Sequence, residues 1–136
     1  MTDGPAPDVV ACTWLHRRGD AVLAVRPHGS GAGPYFLPGG VPQAGETYAE
    51  AAAREVHEEV GMRVDPAALS EVVRVTAPAY GRPGATVLLV CFAGPGAGTP
   101  VADGSEIADI AWLEPGQWHR FAEPVQAALA RLDGAG

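Results

Sequence analysis

The sequence predicts an α/β or α+β layered domain. Two observations carry that expectation: short, β-rich apolar runs flank one central helical segment, and a second amphipathic segment closes the chain. A third is the absence of internal repeats, which removes solenoids and propellers from consideration. At 136 residues with 47% hydrophobic and 18% charged side chains, the chain suits one domain with a real core rather than a disordered segment.

Taken in order, the run TDGPAP has no periodicity, so residues 1–7 are expected to be a flexible tail preceding a domain over residues 8–132. VVACTWLHRRGDAVLAVRP reads as a hairpin from Val9 to Arg26 turning at Arg18, Gly19 and Asp20. HGSGAGPY is too rich in Gly and Pro for either regular structure and reads as a loop. From Thr47 to Val60 the Ala, Glu, Arg and Val mixture is helical, with a Thr47–Glu50 capping box and Gly61 at the C-cap position. LSEVVRVTAP and ATVLLVCFAG read as strands joined by a turn around Gly81, Pro83 and Gly84, and EIADIAWLE as a short strand after the loop GPGAGTPVADG. PVQAALARL is an amphipathic helix with Pro124 in its first turn, and residues 133–136 are expected to form a second loose tail.

Composition narrows the function classes. The formal net charge of −7 argues against a broad duplex nucleic-acid surface, whose affinity rests on Lys and Arg neutralising phosphates. No run is long and apolar enough to span a bilayer and the N-terminus lacks a signal-peptide pattern, so no membrane partner and a cytoplasmic location are expected. Cys12 and Cys91 sit inside apolar runs and read as buried thiols. All nine basic residues are Arg, which excludes a Lys nucleophile.

The segment from Leu37 to Met62, LPGGVPQAGETYAEAAAREVHEEVGM, concentrates the chemistry. On a helix Glu55, Glu58 and Glu59 fall within an arc of about 100°, while Ala49, Ala52, Val56 and Val60 occupy the neighbouring face. Three like charges so close repel, and a divalent cation with a taste for oxygen, Mg²⁺ or Mn²⁺, would offset that repulsion. Arg54 could hold a carboxylate in place. The competing reading is a solvated acidic face balanced by Arg54, Arg63 and water.

The residues upstream of the helix decide between them. From Gly40 to Met62 the chain resembles the Nudix box, G-x5-E-x7-R-E-U-x-E-E-x-G-U with U apolar, at every defined position: Gly40, Glu46, Arg54, Glu55, Val56, Glu58, Glu59, Gly61 and Met62. The resemblance implies a Nudix-like α/β/α sandwich with a mixed β-sheet. It also implies hydrolysis of a nucleoside diphosphate linked to another moiety, with Mg²⁺ as cofactor and Mn²⁺ as a substitute. Carried over by position, Glu55, Glu58, Glu59 and the backbone carbonyl of Gly39 resemble the metal ligands. Arg54 and Glu46 resemble the pair bracing the loop against the helix, and Gly40 and Gly61 are structural. AVLAVRP and EIADIAWLE extend the likeness to most of the chain, although the box alone is diagnostic.

The same likeness gives the catalytic candidates, Glu55, Glu58, Arg54 and Glu106. A general base must take the proton of the attacking water. Glu55 or Glu58 is the expected base, and Glu106 is the alternative for members that carry it on a later loop; a solvent-facing strand residue is the competing reading there. Arg26, Tyr80 and Arg82 are candidate substrate contacts, with ordinary surface roles as the alternative. Phe36 reads as core or as a second base platform. Trp14, Trp112 and Trp118 read as core or strand-edge aromatics, and His16, His28, His57 and His119 share no metal-ligand spacing.

Substrate class is left open by conflicting cues. In the family a Pro about sixteen positions past the box accompanies ADP-ribose hydrolysis and a Tyr at a similar offset diadenosine polyphosphate hydrolysis; Pro78 and Tyr80 are both present. The compact chain favours a nucleoside triphosphate or modified triphosphate, with ADP-ribose or another sugar nucleotide or dinucleotide as the alternative. A nucleotide-sensing module without catalysis is the reading of a different class, and the complete set of box glutamates counts against it. The expected partner is a small-molecule nucleotide, and family members occur as monomers and as homodimers.

Overall fold

A computed structural model describes residues 6–135. Among the described residues the elements run β1 (Val9–Trp14), β2 (Arg17–Arg18), β3 (Ala21–Pro27), β4 (Gly39–Gly40), α1 (Tyr48–Val60), β5 (Ser70–Pro78), β6 (Thr86–Ala93), β7 (Ile107–Leu113) and α2 (Glu123–Ala135). Short 3-10 turns lie at Pro66–Ala68 and Pro115–Arg120. The strands form a four-stranded mixed sheet, β4-β1-β6-β5, and a three-stranded antiparallel sheet, β2-β3-β7. Only the β1–β6 pair of the mixed sheet is parallel.

Alternation along β6 assigns the layers. Val90 and Phe92 face α1, where they pack with Cys12, Ala51 and Ala52, whereas Leu89 and Cys91 face the opposite side with Val125, Ala128 and Leu129 of α2. Farther along α1, Val56 and Val60 reach across to Trp14, Leu23 and Val25 and join the two sheets. The expected α/β/α sandwich with a mixed sheet is therefore the observed architecture. Cys12 and Cys91 are both free and buried, and burial pushes each thiol up to about 11.

Helix α1 has the ends its sequence specifies. The Thr47 hydroxyl accepts the Glu50 N–H, Glu50 accepts the Thr47 N–H in return, and Gly61 caps the C-terminus at φ 74° with its N–H bonded to the His57 carbonyl.

Two expectations change. The segment from Val9 to Arg26 is not one hairpin: β1 belongs to the mixed sheet, and only β2 and β3 pair across Gly19 and Asp20. Both edges of β1 are taken, by β4 and β6, so none is left for β3. At the chain end α2 continues through Ala135, so residues 133–135 are helical rather than a loose tail, and Leu132 packs against the core beneath that last turn. Residues 1–5 of the expected N-terminal tail and residue 136 lie outside the described residues; Ala6 and Pro7 have no regular structure.

Candidate active site

Two glycines bring the backbone down onto the glutamate helix. At Gly39 (φ 156°) a Cβ would collide with the Cys12 carbonyl of β1, and at Gly40 it would collide with the Glu55 carboxylate. Without side chains, β4 settles between β1 and α1, and the Gly39 N–H donates to Glu59 Oε1 at 3.2 Å.

Arg54 is the hub of the polar side. Its Nε and Nη2 grip Glu46 at 2.7 and 3.0 Å, its Nη1 reaches Glu55 at 3.2 Å and Glu58 at 3.3 Å, and Nη2 also donates to the Val41 carbonyl at 3.2 Å. The guanidinium holds Glu46 below the ordinary carboxylate range, assisted by the Gln43 N–H. The brace expected between loop and helix is thus present, bidentate in geometry.

Burial sets the other glutamates apart. Glu59 is pushed up to about 8, first by burial and then by the charges of Glu55, Glu106 and Asp103, against the opposing Gly39 N–H. Glu55 is also raised by burial, with Arg54 opposing and the charges of Glu58 and Glu106 adding to the rise. Glu58 stands at the rim with 47% of its side chain exposed. Glu106, distant in sequence, is close enough for its charge to act on both Glu55 and Glu59. Carboxylate oxygens held near one another in a half-buried site fit a hard divalent cation such as Mg²⁺ or Mn²⁺. Among the described residues no three such side chains form a ready-made metal shell, and Arg54 draws Glu55 and Glu58 toward itself.

The loop carrying Glu106 is tied to the end of α1. Val101 and Asp103 donate their N–H groups to the carbonyls of Val60 and Glu59, and His28 donates to the Glu106 carbonyl. Asp103 accepts from Ser105, Glu106 and Ile107. Sequence reasoning passes over Asp103, although an Asp followed by Gly and Ser is a turn signal that marks such a carboxylate.

Beside Glu59 a cleft of about 200 Å³ is lined by Gly39, Gly40, Val25, Pro27 and Phe36. An apolar recess of about 220 Å³ adjoins it, sharing Phe36, Ala11, Leu89 and Val125 and extending to Tyr80 and Arg82. Phe36 and Tyr80 meet edge to face at 5.8 Å. Tyr80 and Arg82 both line this recess.

Arg26 does not. Val25 and Pro27 line the cleft, and the intervening Arg26 points the other way, to Asp109 at 2.9 Å and over the Tyr35 ring at 4.9 Å. The tryptophans behave as core and edge residues: Trp14 is fully buried with its indole N–H on the Gly94 carbonyl, Trp118 donates to the Leu113 carbonyl, and Trp112 lies under the Arg18 guanidinium. His16 stacks on Trp14, and burial lowers its pKa. His57 is exposed on α1, and His119 lies beside Arg26 in a separate depression.

Comparison with known proteins agrees with this fold. A family model described as the NUDIX domain matches residues 5–132. A MutT-like protein from Streptomyces ambofaciens is 33% identical over 137 aligned residues, covering 99% of this chain and 83% of its own length. Among solved structures, the MutT protein from Methanosarcina mazei Go1 superposes with a TM-score of 0.74 at 21% identity, over 95% of each chain. A bifunctional NMN adenylyltransferase/ADP ribose pyrophosphatase from Francisella tularensis, solved with AMP and a Mn ion, superposes with a TM-score of 0.67 at 20% identity, over 96% of this chain and 42% of its own. The chain belongs to the Nudix hydrolase family, enzymes that hydrolyse phosphoric anhydride bonds in nucleoside diphosphate derivatives.

Proposed function

We propose that this chain is a Mg²⁺-dependent nucleotide pyrophosphohydrolase, with Mn²⁺ able to substitute, acting on a nucleoside triphosphate or a modified triphosphate. Water attacks one phosphorus, the anhydride P–O bond breaks, and a monophosphate and pyrophosphate leave. The observation carrying this reading is the union of two spaces through Phe36: a cleft against Glu59 for phosphates and an apolar recess for one base.

Glu55, Glu58, Glu59 and the Gly39 carbonyl hold the cation in this reading. When bound, it supplies screening of the phosphate oxygens and a more acidic water. Arg54 and Glu46 keep the loop on the helix, so the glutamates stay where phosphates arrive. Glu55 and Glu58 are both held by Arg54, and Glu59 takes the Gly39 N–H. Glu106 has neither restraint, and we assign it as the base that takes the water proton. Tyr80 and Phe36 flank the nucleobase, and Arg82 lines the same recess.

A sugar-nucleotide or ADP-ribose substrate is the second reading, favoured by Pro78 and by the ADP ribose pyrophosphatase activity named for the Francisella relative. The two separate in one assay: phosphate and pyrophosphate release with and without Mg²⁺ or Mn²⁺, across nucleoside triphosphates, oxidised triphosphates, ADP-ribose, sugar nucleotides and diadenosine polyphosphates, with Glu59→Gln as blank. Pyrophosphate from triphosphates is expected. Turnover confined to ADP-ribose or sugar nucleotides would replace the first reading by the second, and no turnover with nucleotide-dependent gain in Tm would point to a binding module.

A further inference from the structure

Glu106 lies on the exposed connection from β6 to β7, outside any strand. Among the described residues its carboxylate takes no hydrogen bond, and the bonds that fix Glu106 run through its backbone. What holds the carboxylate near Glu55 and Glu59 is therefore the shape of the loop. One side chain dictates that shape. Asp103 Oδ1 accepts the N–H groups of Ile107 at 2.8 Å, Glu106 at 3.1 Å and Ser105 at 3.2 Å, while Oδ2 accepts the Ser105 hydroxyl at 2.9 Å. The backbone reverses here through Gly104, at φ 82°.

The loop is also referenced to the site at three points. Asp103 donates its own N–H to the main-chain carbonyl of Glu59 at 3.2 Å, Val101 donates to Val60 at 3.0 Å, and the Glu106 carbonyl receives the His28 N–H at 2.8 Å. Glu59 consequently fastens two loops, the glycine pair through its carboxylate and the Asp103 turn through its carbonyl.

We propose that Asp103 is a positioning residue for the reaction: by gathering the amides of residues 105–107 it holds Glu106 near Glu55 and Glu59. The inference rests on the assignment of Glu106 as base made above. It gives Asp103 a role without contact to substrate. The backbone donors, Ile107 foremost, hold Asp103 down to about 2, so it remains a charged acceptor across the working pH range.

The test uses Asp103→Ala, Asp103→Asn, Glu106→Gln and the Asp103→Ala/Glu106→Gln double variant, with the substrate that turns over in the assay above. Asp103→Asn keeps Oδ1 for the same three N–H groups and offers its amide to Ser105, so it separates loop shape from charge. Asp103→Ala should lower kcat by about tenfold to hundredfold with KM changed less than about threefold. Asp103→Asn should stay within about threefold of wild type, and in the Glu106→Gln background Asp103→Ala should cost less than about twofold more. Amide hydrogen exchange at Ile107 should accelerate in Asp103→Ala and not in Asp103→Asn, at unchanged Tm. Wild-type kcat in Asp103→Ala, equal losses in the Asn and Ala variants, or full multiplication in the double variant would overturn the proposal while leaving Glu106 as base. Wild-type kcat in Glu106→Gln would instead remove the base assignment and the positioning role with it.

Discussion

Arg54 holds Glu46 with two nitrogens, at 2.7 and 3.0 Å, and so fastens the loop after β4 to the face of α1 that carries the site glutamates. A lysine ammonium is a point charge without the planar fork and cannot hold both oxygens in that geometry. Arg54→Lys and Glu46→Ala should each lower kcat by about tenfold to hundredfold, the range seen when a partner of a metal-binding carboxylate is lost. Because both remove one contact, the double variant should be no worse than the weaker single variant. Steady-state kinetics of the three proteins checks this, and multiplying losses would show that Arg54 and Glu46 act separately.

The neighbouring glycines should separate stability from activity. A Cβ at Gly39 meets the backbone of β1, which cannot yield without moving a central strand, so Gly39→Ala should destabilise the fold by about 1–3 kcal/mol. A Cβ at Gly40 meets the Glu55 side chain, which can rotate away. Gly40→Ala should therefore keep its Tm within a few degrees and lose most of its kcat. Thermal melts beside initial rates distinguish the two, and equal Tm losses would show that Gly40 is as constrained as Gly39.

What the sequence reveals here follows from the distance over which each feature is encoded. The α1 caps and the Arg54–Glu46 brace depend on residues within one continuous stretch, and their spacing expresses the geometry directly. The partner of β1 does not: Val9 aligns with Val87, and local alternation cannot distinguish a strand that pairs with its neighbour from one that pairs across the chain. Arg26 is similar: alternation separates it from Val25 and Pro27, but which face of β3 borders the cleft is decided by elements distant in the chain. Asp103 is a different case: the Asp-Gly-Ser run signals a turn, but the closeness of that turn to the glutamate helix depends on contacts distant in sequence.

The raised carboxylates should make the metal-free protein lose stability as pH rises through the acidic and neutral range. A carboxyl whose folded pKa lies above its unfolded value binds more protons when folded, so its stability is complete below the unfolded value of 4.5 and is lost as pH rises through the folded value, about 8 for Glu59. Glu55 shifts in the same direction. In excess chelator Tm should fall between about pH 4.5 and 8, and Glu59→Gln, which cannot ionise, should flatten much of that slope. A Glu59→Gln profile parallel to wild type would place the pH sensitivity elsewhere.

Arg26 should prove dispensable to turnover. Its guanidinium is engaged by Asp109 and the Tyr35 ring on the side of β3 away from the cleft, and Tyr35 donates a second hydrogen bond to the same Asp109 oxygen at 2.7 Å. Arg26→Ala should leave kcat and KM within about twofold and, with both partners partly exposed, cost at most about 1 kcal/mol of stability. A large rise in KM would return Arg26 to the substrate side.

Tyr80 offers the complementary case. More than half of it is exposed, at 56%, yet its ring closes the recess edge to face against Phe36. An aromatic this accessible is available to a flat ligand without disturbing the core, and Phe36 is fixed at the junction with the glutamate cleft. Stacking of this kind is worth about 0.5–1.5 kcal/mol, so Tyr80→Ala should raise KM for a nucleotide by about twofold to tenfold. Its kcat should change little, because the interaction is made equally in ground and transition states. Tyr80→Phe should restore KM if the ring face is the contact. If Tyr80→Phe instead matched Tyr80→Ala, the hydroxyl rather than the ring would be the recognising group, and the base would be read by a hydrogen bond at the mouth of the recess.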